Sequence, residues 1–370
     1  MRRRTFSEVW NREAAADYAP GMARSEHVFD PQALEAEAPG AAPELEVESS
    51  LRPRSLEEFV GQERVLANLR IAVAAARGRS EPLDHVLFSG PPGLGKTSLA
   101  RILARELGSH LHATSGPALE RPRDLVGILT QLGRGDVLFV DEVHRVPAAV
   151  EEYLYSAMED YSVDFTLDQG PHARVLPLPL QPFTLVGATT REGLLSAPFR
   201  SRFGIAERLS PYPVDELERI LVRSAEILGI SLAEDAARTI AERARGTPRI
   251  ANRFLRRVRD LAQVRGEKHV SGALAREALA ALGVDDNGLE DLDRRILAVL
   301  VASGGQPVGI KTIAAAVGES EDTIEDVFEP HLLRQGFIHK TGRGRVVTRA
   351  GCGAIGVDAA AIQGESGLFP

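Results

Sequence analysis

Gly90-Pro91-Pro92-Gly93-Leu94-Gly95-Lys96-Thr97 follows an apolar run, His85–Ser89, and opens a helical pattern over Lys96–Leu107. The stretch fits GxxxxGK[ST] in the strand–loop–helix setting that this pattern requires. Its glycines let backbone N–H groups point at phosphate oxygens with no Cβ in the way, and the helix N-terminus adds favourable partial charge. Lys96 has the reach for the outer phosphates of a nucleotide, and the Thr97 hydroxyl suits a Mg²⁺ ion. An ordinary Gly-rich turn is the alternative, and the flanking strand and helix weigh against it. The expected cofactors are therefore ATP and Mg²⁺.

Working outward, two further apolar runs, Asp136–Val140 and Phe183–Gly187, alternate with helical patterns such as Ala148–Glu159. Buried strands that alternate with helices predict a parallel sheet covered on both faces. The second run leads into Asp141-Glu142, 45 residues after Lys96. Asp141 suits a Mg²⁺ ligand and Glu142 a general base for an attacking water. The third leads into Thr189-Thr190-Arg191. Ligands of open α/β sheets sit at the carboxyl ends of strands, so a hydroxyl here can meet a γ-phosphate or the attacking water; a turn threonine that only caps the backbone reads equally well. Arg200 and Arg202 are planar donor forks suited to phosphate, or an ordinary surface pair. Thr247-Pro248 starts a helix, with Arg249 in its first turn opposing the helix dipole, which points to an anion partner.

The chain has 370 residues, 26% of them charged, and a formal net charge of −8. That length predicts two or three domains, and the charge argues against a surface that binds polyanions everywhere. The single cysteine, Cys352, excludes an intramolecular disulfide framework and a Cys-cluster zinc site. No apolar run reaches the length of a membrane span and no secretory signal stands out at the start, so the chain reads as cytoplasmic with no membrane partner. Residues 1–48 read as a disordered tail: between Glu26 and Glu48 there are seven acidic residues and no Lys or Arg. A helical period is expected over 56–76. After Pro213 the strands stop, and helices are expected at 214–229, 233–245, 248–264 and 271–282. A third unit has helices near 291–302, 309–316 and 321–335, then the alternating stretch Phe337–Val347, which together suggest a winged helix. Its segment Pro330–Val357 holds no acidic residue but includes Lys340, Arg343 and Arg345 at a glycine-containing wing tip, which predicts duplex DNA contact through the phosphate backbone. The helix before it carries Glu319, Glu321, Asp322, Glu325, Asp326 and Glu329, and such charge disfavours base readout in a groove.

These elements in this order resemble the AAA+ ATPases and, more closely, the RuvB family within them. The specific matches are Leu51-Arg52-Pro53, Gly61-Gln62, Gly90–Thr97, Asp141-Glu142-Val143-His144-Arg145, Gly187-Ala188-Thr189-Thr190-Arg191, Arg202-Phe203-Gly204 and Gly246-Thr247-Pro248-Arg249-Ile250-Ala251-Asn252-Arg253. The resemblance implies an α/β P-loop AAA+ domain over 49–212, a small all-α lid over 213–284, a winged-helix domain over 285–350 and a tail over 351–370. It implies Walker A residues Gly93, Leu94, Gly95, Lys96, Thr97 and Ser98 and a Walker B pair Asp141 and Glu142. It further implies that Thr190 is the first sensor, Arg249 the second, and Arg202 a finger acting on the neighbouring subunit's nucleotide. Leu51, Arg52 and Tyr212 would flank the adenine, and Glu159, Asp160 and Tyr161 would line the nucleotide pocket. The implied activity is ATP hydrolysis that drives branch migration of Holliday junctions by a homo-hexameric ring, with RuvA as loader and RuvC as the coupled resolvase. A hairpin over 163–180, turning at Gln169-Gly170-Pro171 and with Val163, Phe165 and Leu167 on one apolar face, lies where the resemblance implies contact with RuvA; a solvent-exposed hairpin tucked onto its own domain is the alternative. Glu321 departs from the basic residue usual near that position. A nucleotide-switched DNA loader or scaffold of the clamp-loader type is the competing reading; a sequence-specific transcription regulator is disfavoured by the acidic helix.

Overall fold

The computed structural model describes residues 48–166 and 175–358. Nearly all of the acidic N-terminal segment, the turn expected at 169–171 and the last residues of the chain lie outside that range.

A five-stranded parallel sheet forms the first unit, built from β1 (Val86–Ser89), β2 (Leu111–Ser115), β3 (Val137–Asp141), β6 (Thr184–Thr189) and β7 (Ile205–Arg208) in the order β2-β3-β6-β1-β7. The central strands β1, β3 and β6 are apolar because both their faces are covered. Alternate residues separate cleanly. Phe88, Phe139 and Val186 pack with α1 (Glu63–Arg79) and α2 (Lys96–Leu107) in one core. Leu87, Leu138 and Leu185 pack on the other face with α3 (Pro122–Leu129) and α4 (Ala148–Glu159). Phe139 is 1% exposed, and truncating it to alanine removes about 3–5 kcal/mol of stability.

The helical period expected from residue 56 yields a helix only from Glu63. Gly61 and Gln62 both have positive φ, 76° and 56°, and a Cβ at Gly61 would collide with Tyr212 and Glu216 of the next unit. The stretch is therefore a turn pressed against the lid rather than a first helical turn.

A hairpin, β4 (Ser162–Thr166) with β5 (Val175–Pro179), leaves the sheet after α4 and pairs antiparallel from Ser162↔Pro179 to Thr166↔Val175. Val163 is 1% exposed and belongs to the core beneath α4. It anchors the hairpin base and does not contribute to an outward apolar ridge as expected; Leu167 lies outside the described residues.

The second unit packs α6 (Val214–Ile227), α7 (Glu234–Arg243), α8 (Pro248–Arg265) and α9 (Gly272–Ala281), with α5 (Ala197–Ser201) preceding them in the chain. Its core is continuous with the α1–α2 side of the sheet. Strands do not stop at Pro213: β8 (Ser231–Leu232) and β9 (His269–Val270) form a short parallel pair, too brief for a periodicity to reveal.

The third unit has its own core around α10 (Asp291–Ala302), α11 (Ile310–Val317) and the hairpin β10 (Ile338–Thr341) and β11 (Gly344–Val347). Between them runs the helical stretch 321–334, interrupted by a π-type turn at Ile324–Phe328. A final helix, Arg349–Ala354, is capped by the Thr348 side chain and buries Cys352 in the same core. The unit thus continues past 350, where the sequence reading began a tail. The second and third units are tied by Arg245, whose buried guanidinium lies 2.6 Å from the fully buried Asp293 carboxylate and also bonds the Gly288 carbonyl. Arg334 donates to the Arg245 carbonyl at 2.6 Å.

Candidate nucleotide site

The loop between β1 and α2 is shaped by two close approaches. A Cβ at Gly90 would sit 2.5 Å from the Leu209 carbonyl, and one at Gly93 would sit 2.7 Å from the Thr247 methyl; both glycines have positive φ. The loop therefore lies flat against the strand end on one side and the start of α8 on the other. Lys96 folds back over it, with Nζ 2.7 Å from the Gly90 carbonyl and 2.9 Å from that of Pro91. Burial pushes the Lys96 ammonium below its ordinary pKa, opposed by the Asp141 and Glu142 carboxylates. A phosphate beside it would favour the charged form further.

β3 brings the two carboxylates to the same cleft. Asp141 Oδ1 accepts the Glu142 N–H at 2.9 Å. Glu142 holds a left-handed backbone, φ 47°, which a non-glycine residue adopts at a cost of about 1–3 kcal/mol. Its Oε2 accepts the Thr190 hydroxyl at 3.3 Å and lies 3.2 Å from His144 Nδ1. Thr190, at the end of β6, thus meets Glu142 directly.

The cleft has a volume of about 300 Å³ and is lined by Leu51, Arg52, Gly93, Leu94, Gly95, Lys96, Thr97, Ser98, Asp141, Glu142, Tyr212 and Arg249. Every one of these was singled out in the sequence. Tyr212 is buried, its hydroxyl donates to the Leu94 carbonyl at 3.2 Å, and burial raises its pKa. Arg249 enters with the first turn of α8; Glu48 stands between it and Arg52, with Oε1 3.6 Å from Arg249 Nε and 3.3 Å from Arg52 Nη2. Glu58, Phe59, Val60, Ile220, Arg223, Asn252 and Arg256 also line it and were missed as site residues. Asn252 and Arg256 follow Arg249 by three and seven residues on one helix, a spacing that could have found them. Ile220 and Arg223 come from α6 and carry no local signal.

Glu159, Asp160 and Tyr161, expected to line the nucleotide pocket, do not line this cleft, and neither does Arg202, expected to act on a neighbouring subunit's nucleotide. They lie at the end of α4 and beside α5, whose side chains enter the opposite core of the sheet. Arg202 Nη2 is 3.1 Å from Glu159 Oε2, its Nη1 donates to the Pro198 carbonyl at 2.7 Å, and its guanidinium stacks 4.3 Å from the Tyr155 ring centroid.

At the wing, Arg343 is exposed, and Lys340 is half exposed with Nζ 3.0 Å from Glu329 and 3.5 Å from Glu325. Arg345 is not a surface cation. It is 6% exposed, and its guanidinium donates to Glu329 at 2.7 Å and Glu325 at 2.5 Å. Its β-strand position, opposite Lys340, turns it toward the acidic helix and away from solvent.

Family models match the chain end to end across the described region. They are the Holliday junction DNA helicase RuvB P-loop domain over 51–209, the RuvB AAA lid domain over 212–285 and the RuvB C-terminal winged helix domain over 286–356. The chain belongs to the RuvB family. Among its RuvB relatives, the Holliday junction branch migration complex subunit RuvB of Myxococcus xanthus is 59% identical over 306 residues, 82% of this chain and 89% of that protein. The corresponding subunit of Prosthecochloris aestuarii is 58% identical over 307 residues, 83% and 90% of the two. The solved structure of the Thermotoga maritima RuvB Holliday junction branch migration motor is 48% identical, superposes with a TM-score of 0.77 and covers 84% of this chain and 99% of its own. The RuvB family accounts for the P-loop domain, lid and winged helix in one arrangement. Among the described residues, no helix is long and apolar enough to cross a membrane.

Proposed function

We propose that this chain is an ATP-driven motor for branch migration of Holliday junctions. Membership of the RuvB family supports the junction as substrate, and the cleft between β1, β3 and α8 supports ATP hydrolysis. One observation carries the enzymatic part: Glu142 is held at the strand end by the Thr190 hydroxyl, in the cleft that also holds Lys96 and Asp141. A site that only bound nucleotide would need Lys96, Thr97 and Asp141 but no such carboxylate.

In this reading the adenine lies near Leu51, Arg52 and Tyr212, and the phosphates lie over the loop N–H groups. Lys96 and Arg249 offer positive charge to the outer phosphates. Glu142 orients and deprotonates the attacking water, and Thr190 fixes that carboxylate. Thr97 and Asp141 would hold Mg²⁺, which would supply positive charge to the phosphates. The donor set fits: both are hard oxygens, and among the described residues there is no cluster of three or more His, Cys, Asp or Glu that would hold a metal alone, as suits an ion that keeps waters and arrives with phosphates. Arg202, with Glu159, Asp160 and Tyr161, belongs to the face presented to the next subunit's nucleotide in a ring of six. RuvA would place that ring on the junction, and RuvC would act on the same assembly. Lys340 and Arg343 would contact the phosphate backbone of duplex DNA; Arg345 would support them.

Glu142→Gln tests the hydrolytic assignment. Single-turnover hydrolysis should slow on the order of 10²–10⁴-fold, with binding of a fluorescent ADP analogue unchanged. Turnover near that of the unaltered protein would remove Glu142 from the mechanism.

A further inference from the structure

The acidic stretch of the winged-helix domain has a use other than avoiding a groove. Glu325 and Glu329 hold Arg345 and Lys340 of the wing. Asp322 and Asp326 reach instead to the ATPase domain, to Arg191 at the end of β6. Arg191 Nε lies 2.9 and 3.1 Å from the two Asp326 oxygens, and Nη2 lies 2.8 Å from Asp322 Oδ1. Its guanidinium is about one quarter exposed and Asp326 about a third, so the contact is partly shielded from water and better than a loose surface pair.

The residues just before Arg191 lead to the hydrolytic carboxylate. The Arg191 backbone N–H donates to Thr189 Oγ1 at 3.0 Å, and that fully buried hydroxyl lies 2.9 Å from His144 Nδ1. His144 Nδ1 is 3.2 Å from Glu142 Oε2, and Thr190 Oγ1 donates to the same oxygen at 3.3 Å. The acidic helix thus links the wing to the Arg191 side chain, and from the Arg191 backbone N–H polar contacts run through Thr189 and His144 to Glu142, with Thr190, the residue between Thr189 and Arg191, contacting Glu142 directly. β6 is the middle strand of the sheet and buried throughout.

We propose that Arg191 is a positioning residue that reports the placement of the DNA-bound winged-helix domain to Glu142. A shift of Asp322 and Asp326 when the wing takes up DNA moves Arg191, and with it the Thr190 and His144 contacts that aim the carboxylate. The proposal rests on the hydrolytic reading of Glu142.

The test compares ATP turnover of the full-length protein with and without duplex DNA, in the unaltered chain, in Arg191→Ala, and in Asp322→Asn with Asp326→Asn. The expected result is a DNA-induced rise in kcat in the unaltered protein that falls below about twofold in both variants, while KM for ATP and the Kd for DNA stay within about twofold. The exchange Arg191→Asp with Asp326→Arg should restore the DNA response, which a role in folding alone would not do. A DNA response absent from the unaltered protein, intact in both variants, or not restored by the exchange would overturn the proposal. Glu142→Gln in the same assay keeps the two ideas apart: undiminished turnover there would sink the base assignment, whatever the Arg191 series shows.

Discussion

Arg202 separates a finger from an ordinary surface arginine. Within its own chain it stacks on Tyr155 and pairs with Glu159, away from the cleft that Lys96 occupies. A guanidinium so held keeps its orientation but has only one carboxylate to give up when a phosphate approaches. Arg202→Ala should lower ATP turnover on the order of 10³-fold with nucleotide binding retained. The neighbour arrangement has a sharper consequence. Mixing Arg202→Ala with Lys96→Ala subunits should produce hydrolysis that neither variant has alone, because some interfaces then combine an intact Lys96 with an intact Arg202. A mixture as inactive as its components would place Arg202 in its own chain's site.

The wing and its acidic helix form one charge-balanced element. Seen as a run of sequence, Lys340 to Arg345 is a cationic patch. Folded, its cations differ: Arg343 faces solvent, Lys340 is shared with Glu325 and Glu329, and Arg345 is buried against the same two carboxylates. Lys340→Ala with Arg343→Ala should flatten the log–log dependence of duplex binding on salt by about two. Arg345→Ala should instead lower the thermal midpoint, since the buried Glu329 loses a guanidinium that donates to it through two nitrogens and is left with the half-exposed Lys340 beside it. A salt slope unchanged in the double variant would end the assignment of the wing as the DNA contact. The error over Arg345 has a physical source: its partners lie 16 and 20 residues upstream, and a one-dimensional charge run cannot show which cations are already neutralised.

At the scale of the molecule, what could be read from the sequence was local. The phosphate loop, the carboxylate pair after β3 and the threonines after β6 each announce themselves within a few residues, because strand, turn and helix chemistry are set by near neighbours. The order in which those strands sit side by side then brings Lys96, Asp141, Glu142 and Thr190 together. What could not be read depends on packing between units. Ile220 and Arg223 enter the cleft only because the lid core is continuous with that of the sheet. The left-handed turn at Gly61-Gln62 exists because Tyr212 and Glu216 crowd it. The Arg191 contact with Asp322 and Asp326 spans more than 130 positions, and no period or motif links its two sides. The molecule is therefore a sheet whose strand ends carry the proposed hydrolytic residues, a lid that closes one side, and a third domain in contact with the same strand ends.

The most direct measurement is dissociation of a synthetic four-way DNA junction by this protein, with ATP and its RuvA each present and absent. Strand separation that requires ATP and RuvA, and is lost in Glu142→Gln, is the expected result for a branch-migration motor. Junction binding with ATP hydrolysis but no strand movement would contradict the account and leave a nucleotide-switched loader in its place.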